Sequence, residues 1–165
     1  MQINRALKPD GLFLAAMLGG DTLIELRQAL LAAEMETDSG VSPRTSPTVE
    51  LRDAAELMQR ANFALPVIDR ETIEVNYADP FALMHELRGM GESNALCDRR
   101  KTFSRSATFA RSAEIYAARY AGPDGRIKAT FDLIMLTGWH PHQSQQQPLA
   151  RGAVPKGFHQ GPAKA

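Results

Sequence analysis

One stretch decides the fold of this chain: LKPDGLFLAAMLGGDTLIELR, residues 7–27. Its residues 11–18 form an apolar run without polar alternation, which is typical of a strand covered on both faces, as in a parallel sheet. Gly19 and Gly20 end the run. Thr22 and Glu25 have the spacing of a capping box, so we expect a helix that continues to about Met35. This strand, turn and helix predict an α/β fold.

The remaining sequence continues the alternation of helices and strands. Upstream of the first strand, Asn4 to Leu7 reads as the last turn of a helix whose beginning is missing. Downstream we expect a helix that starts at Ser46 and ends at Asn62, and then a strand over 67–77 with a kink or break near Arg70. Next comes a helix opened by Pro80, with an apolar stripe of Phe81, Met84 and Leu87. A helix over 107–120 and a strand over 127–139 complete the order. From residue 143 onward the chain is rich in Gln, Pro, Gly and Ala, so we expect a disordered tail over 143–165.

This pattern gives only about three strands, where a typical sheet has five or six. The first strand is the most apolar of the three, although an exposed apolar edge invites association. We therefore expect a further part of the sheet to lie beside it, and residues 1–142 to form the carboxy-terminal half of an α/β domain.

Composition excludes several classes of function. Nineteen basic and nineteen acidic residues cancel, so neither nucleic acid nor an anionic membrane is an expected partner. The single cysteine cannot form an internal disulfide, and the sequence contains no Cys/His cluster with metal-ligand spacing. Basic residues before the apolar run imitate a secretory signal, but the turn at 8–11 and the shortness of the run favour a buried strand.

The motifs do not identify a reaction by themselves. The turn of Gly19, Gly20, Asp21 and Thr22 places free backbone N–H groups at the carboxyl end of a strand, where open α/β sheets bind ligands, although a structural role is favoured. The loop at 89–94 has two glycines and small polar residues, for which the end of a helix is the better interpretation than a nucleotide loop. The basic cluster at 99–105 and the histidines have ordinary surface interpretations.

The order of several motifs adds a resemblance. The segment at 7–11 resembles the L-K-P-G-G stretch that precedes the fifth strand of class I S-adenosylmethionine-dependent methyltransferases. The segment at 18–27 is similar to the branch that contains the malonyl-acyl-carrier-protein methyltransferase and the mitochondrial complex I assembly factor 5. The second of these looks closer, since further matches follow in order up to about Arg151: Ser42-Pro43, Ser46-Pro47, Val75-Asn76-Tyr77, Leu83-Met84, Gly89 to Asn94, Ala129-Thr130 and Gly138-Trp139.

The resemblance implies a fold, and it assigns the binding of the donor and of the substrate to different parts of that fold. It assigns to this chain strands five, six and seven of a Rossmann-like sheet, with strand seven antiparallel and inserted between the other two. The donor loop and the ribose-binding acid lie upstream of Met1 in that arrangement. It implies S-adenosylmethionine as the cofactor of the complete fold and none bound by this chain alone. The substrate side remains, for which we expect Gly19, Asp21, Thr22, Arg44 and Asn94, with Arg44 holding a carboxylate.

Three functions follow as hypotheses. The first is the substrate-side portion of an S-adenosylmethionine-dependent methyltransferase, inactive by itself. The second is an assembly-factor-like protein that modifies or chaperones an arginine-bearing subunit of complex I, with hydroxylation rather than methylation. The third is a non-catalytic fragment that forms a homodimer through its exposed strand edge. The resemblance implies a protein or an acyl-carrier substrate, and a location in the bacterial cytoplasm or, in a eukaryote, the mitochondrial matrix.

Overall fold

The computed structural model describes residues 2–38, 40–94 and 96–146, and it contains helices and strands in the predicted order. The elements are α1 Gln2–Ala6, β1 Leu12–Leu18, α2 Ile24–Thr37, α3 Leu51–Arg60, β2 Ala64–Tyr77, α4 Pro80–Gly89, α5 Ser106–Tyr120 and β3 Ile127–Trp139. Most of the predicted tail at 143–165, from residue 147 on, lies outside the described residues.

The three strands form one sheet in the order β1-β3-β2. β3 runs antiparallel to both neighbours and pairs Leu133 with Leu18 on one side and Ile127 with Tyr77 on the other. β1 and β2 are therefore parallel to each other and separated by the last strand. This confirms the prediction of an α/β chain with three strands and an antiparallel final strand between the other two.

Helices cover the sheet on both faces. Because side chains alternate along a strand, β3 sends Ile127 and Ala129 to one face and Ile134 and Leu136 to the other. The first pair packs against α2, α4 and α5, and the second against Ala54 and Met58 of α3. Two apolar cores therefore share one central strand.

β1 is covered on one face only within the described part of the chain. Phe13, Ala15 and Met17 pack into the α3 core, where Phe13 stacks on Phe63 with ring centroids 4.8 Å apart. The alternate residues Leu12 and Leu14 are 52% and 68% exposed. The prediction that both faces of β1 are buried is therefore wrong for Leu12 and Leu14. Within the described part of the chain, no helix or strand lies on their side of β1.

The capping box predicted for α2 is wrong. The helix begins after Leu23, which has a φ of 54° and provides no side-chain cap. The Thr22 hydroxyl bonds the backbone of Asp132 in β3, at 3.0 Å to both its N and its O. The Glu25 carboxylate accepts from the N–H and the hydroxyl of Thr130. Buried polar groups of β3 therefore take the partners that the helix terminus would otherwise have used.

Three smaller predictions also need correction. The third helix begins at Leu51 rather than at Ser46, because the preceding segment is extended and Val49 forms a bridge to Gly19. β2 runs through Arg70 without a break, and its irregularity lies near Leu65, which has a φ of 48°. The α4 stripe consists of Pro80, Leu83 and Leu87, whereas Phe81 is 52% exposed. Two predicted termini are confirmed: Asn62, with a φ of 58°, follows α3, and Pro80 opens α4.

Candidate functional site

A cleft of ≈ 490 Å³ lies beyond the carboxyl end of β1, between α2 and the segment that follows it. Its size is that of a small-molecule site. The lining combines apolar walls with two arginines and one glutamate: Arg27, Leu30, Leu31, Glu34, Val41, Ser42, Pro43, Arg44 and Thr45. The carboxyl ends of strands are where open α/β sheets bind their ligands, so this cleft is the candidate site.

Glu34 lies at the centre of a polar network in the cleft. Its side chain is 1% exposed, and its carboxylate accepts hydrogen bonds from Ser42 N at 3.0 Å, Ser42 Oγ at 2.8 Å and Arg44 Nε at 2.6 Å. Burial alone would raise the pKa of this carboxyl, but the bonds from Ser42 and the charge of Arg44 together lower the pKa below that of a free glutamate. Glu34 is therefore a fixed, buried carboxylate.

Arg44 is held in place by that carboxylate. Its Nη2 lies 2.5 Å from Glu34 Oε1 as an ionic contact, although it is buried and forms no hydrogen bond. Its Nη1 donates to Ser104 Oγ at 2.9 Å, and the guanidinium stands over the Phe109 ring, 5.3 Å from the ring centroid. The positive charge of Arg44 is thus compensated within the protein.

Arg27 has a different environment at the other end of the cleft. Its Nη2 donates to the carbonyl of Gly20 at 2.6 Å and, less closely, to that of Thr22 at 3.4 Å. Its Nε is buried without a hydrogen-bond partner. Across residues 2–38, 40–94 and 96–146, no carboxylate comes within ion-pair distance of it.

The turn after β1 forms a second polar cluster. Gly19 N donates to Asp132 O at 2.7 Å, and Asp21 N lies 3.5 Å from Asp132 Oδ2. Arg70 Nε donates to the buried Asp132 carboxylate at 2.7 Å and also pairs with the exposed Asp21. The Asp132 carboxylate is the main cause of the raised pKa of Arg70. Several amides of the turn are therefore already bonded to the protein itself.

The structure brings the five predicted substrate residues together in two groups. Gly19, Asp21 and Thr22 surround Asp132 in the turn. Arg44 and Asn94 meet at the segment after α2, where Asn94 Nδ2 donates to the Pro43 carbonyl at 2.7 Å. Of the five, Arg44 lines the cleft, whereas Thr22 and Asn94 bond residues that line it, Arg27 and Pro43. Their roles toward a substrate stay predictions.

Sequence reasoning missed Arg27, Glu34 and Asp132. Arg27 and Glu34 are seven residues apart on one helix, which places both on the same face after two turns. That spacing was a usable signal. Asp132, in the otherwise apolar β3, was a second signal, since a charge inside a buried strand requires partners.

The described ranges lack two other kinds of functional feature. No group of three or more His, Cys, Asp or Glu side chains could hold a metal ion there. None of the helices in that part of the chain has the length and hydropathy needed to cross a bilayer.

Comparison with known proteins gives the chain its relatives. No family model matches it. It is 43% identical over 157 residues to "Arginine-hydroxylase NDUFAF5, mitochondrial" of Dictyostelium discoideum and 42% identical to the protein of that name of Homo sapiens, with 94% and 95% of this chain covered. It is 34% identical over 148 residues to "Malonyl-[acyl-carrier protein] O-methyltransferase" of Xylella fastidiosa, with 90% covered.

The predicted resemblance is confirmed. Both groups of relatives are those of the methyltransferase branch that the sequence motifs indicated. The chain spans 36% of the Dictyostelium protein, 45% of the human one and 47% of the Xylella one, so it corresponds to half or less of each. The branch therefore provides the family context, while the activity of the whole proteins is not carried over with it.

Proposed function

We propose that this chain forms the substrate-side part of an S-adenosylmethionine-dependent methyltransferase, and that the donor site is formed by residues outside it. The observation that carries this proposal is the antiparallel β3 inserted between the parallel β1 and β2. That order is the one which the resemblance implies for strands five, seven and six. The names of the Xylella relative and of other bacterial relatives support the reaction class.

The turn after β1 does not fit the methyl donor. A Cβ placed on Gly19 would lie 2.8 Å from Asp132 Cγ, and one placed on Gly20 would meet the Glu50 carboxylate. The turn glycines thus make room for the protein's own carboxylates, and the amides of Gly19 and Asp21 point to Asp132. We therefore assign no donor-binding role to this turn.

The cleft supplies the positioning part of the reaction. A transferring enzyme gains much of its rate by holding the acceptor group in one orientation. Glu34 and Arg44 fix the segment at 41–45 to α2, and the exposed side chains of Leu31 and Val41 provide apolar contact surface. The cleft thereby provides a binding site for the acceptor group. We propose that this acceptor is an acyl group on a carrier protein.

A second candidate is hydroxylation of an arginine in a protein substrate. It is supported by the names of one group of relatives: those named arginine-hydroxylase are 40–43% identical to this chain, and those named methyltransferase are 30–34% identical. The two candidates also differ in location. The relatives named arginine-hydroxylase are mitochondrial by name, whereas those named methyltransferase are from bacteria.

Product masses separate the two candidates. The chain is fused to the part of the Xylella relative that it does not match. The fusion is incubated with S-adenosylmethionine and malonyl-loaded acyl carrier protein or, with dioxygen and a two-electron reductant, with an arginine peptide. Methyl transfer adds the mass of one CH₂ to the malonyl group. Hydroxylation inserts one oxygen atom of dioxygen into the arginine, and the other leaves as water. We expect the first mass change; an unchanged malonyl group together with an oxygen gain on the peptide contradicts the proposal.

A further inference from the structure

The cleft contains two arginines, and their charges are not equivalent. Arg44 faces the buried Glu34, and the two charges cancel. Arg27 faces the carbonyls of Gly20 and Thr22, which are neutral acceptors. The free positive charge of the cleft therefore belongs to Arg27.

The hydrogen-bonding state of Arg27 also favours a ligand. Its Nη2 is taken by the two carbonyls, whereas Nη1 forms no bond within the described residues. The Nε–H is buried and lies out of reach of a ligand in the cleft. A carboxylate in the cleft can accept a charge-assisted hydrogen bond from Nη1. Such a bond would compensate the positive charge of Arg27.

The geometry assigns the anion-binding role in this cleft to Arg27, with a carboxylate on a short apolar body as its ligand and Arg44 as a positioning residue. The apolar body would lie along Leu31 and Val41, which are exposed and line the same cleft as Arg27. This assignment rests on the proposed function and deepens it, since it names the group that the substrate-side cleft recognises. It moves the carboxylate from Arg44, where the sequence placed it, to the other end of the cleft.

Glu50 is a carboxylate at the same turn that Arg27 binds. Its carboxylate packs against Gly20, whose carbonyl Arg27 binds, but it does not line the cleft and forms no ion pair with Arg27. It is exposed. Removing its negative charge should therefore strengthen the binding of an anion at Arg27 by up to a few fold, since exposed charges interact weakly.

Binding by the 165-residue chain tests the assignment without the methyl donor. Monomethyl glutarate is titrated while amide shifts are followed by NMR, with dimethyl glutarate as the uncharged probe and N-acetylarginine amide as the cationic one. We expect the monoester alone to bind. Arg27→Gln should weaken it at least about tenfold, because a bond to a charged group is lost, Arg27→Lys should weaken it less, and Glu50→Gln should tighten it.

Control variants and probes decide the outcome. Arg52→Gln, at a side chain that is 86% exposed, should leave the affinity unchanged. Unchanged affinity in Arg27→Gln, equal binding of the diester, preference for the arginine amide, or no binding of any probe would each overturn the assignment. Malonyl-loaded acyl carrier protein, compared with the free monoester, tells whether the carboxylate is recognised on a carrier. Failure of methyl transfer by the fusion protein leaves these binding results untouched, so the two proposals fail separately.

Discussion

Replacing Glu34 by glutamine removes the charge that holds the cleft together. The carboxylate accepts three hydrogen bonds from Ser42 and Arg44 at 2.6–3.0 Å. The amide keeps one acceptor oxygen and turns an NH₂ group toward donors, while Arg44, only 14% exposed, loses its counter-charge. Breaking a buried pair by removing one partner costs about 3–5 kcal/mol. Because the cleft is open on one side, we expect the free energy of unfolding to fall by about 3 kcal/mol.

Urea unfolding of the chain, followed by circular dichroism, measures that loss. Glu36→Gln is the matched control on the same helix, since Glu36 pairs with Arg111 on the surface and its side chain is 50% exposed. An exposed pair contributes less than about 1 kcal/mol. Adding Arg44→Met to Glu34→Gln should cost less than the sum of the two single changes, because the second change removes the charge that the first one left unpaired.

The pH dependence of the unfolding free energy also tests the role of Glu34, and its direction follows from the lowered pKa of this carboxyl. The folded-state pKa of Glu34 lies below 4.5, the value of a free glutamate. Its contribution to stability is therefore present above 4.5 and is lost as the pH falls through the folded-state pKa. Below 4.5 the unfolding free energy of Glu34→Gln should fall less steeply than that of the native chain. The reasoning would be refuted if Glu34→Gln and Glu36→Gln lowered the unfolding free energy equally at neutral pH. Refutation would also require that, below pH 4.5, the unfolding free energy of Glu34→Gln fell in parallel with that of the native chain.

Three other changes are also diagnostic. Thr130→Val removes a hydroxyl that donates to the buried Glu25, and chemical denaturation should show a loss of about 2 kcal/mol; a loss below half of that contradicts the buried bond. Gly19→Ala places a methyl against the buried aspartate of β3, whereas Gly89→Ala meets nothing within 4 Å. The first should destabilise by about 1–3 kcal/mol and the second should be neutral or stabilising, so equal melting temperatures would count against the turn geometry. Leu14→Lys, at the exposed face of β1, should reduce concentration-dependent association in light scattering; a native chain that is monomeric at every concentration removes the dimer hypothesis.

Local patterns predicted much of this fold. β3 has the predicted bounds Ile127–Trp139, because an uninterrupted run with strand periodicity ends at strong turn and loop signals. Asn62 and Pro80 were placed correctly because their effects on the backbone are intrinsic to the residue. The sheet order came from the resemblance, since periodicity does not specify which strands pair.

The missed features depend on partners distant in sequence. Thr22 and Glu25 have a perfect local capping pattern, yet their partners lie 110 and 105 residues away on β3. A local pattern carries no information about such partners. The cleft shows the same limit, because Arg44 could be named from its segment alone, whereas its compensation by Glu34 and the unpaired state of Arg27 emerge only when α2 packs against residues 41–45.

Titration with S-adenosylmethionine tests the central claim most directly. The chain alone and the chain fused to the unmatched part of the Xylella relative are each studied by isothermal titration calorimetry. If these residues form the substrate side of a divided domain, the fusion binds the methyl donor with a stoichiometry near one and the chain alone gives no heat of binding. Binding by the chain alone, or no binding by a fusion that is shown to be folded, would contradict the account.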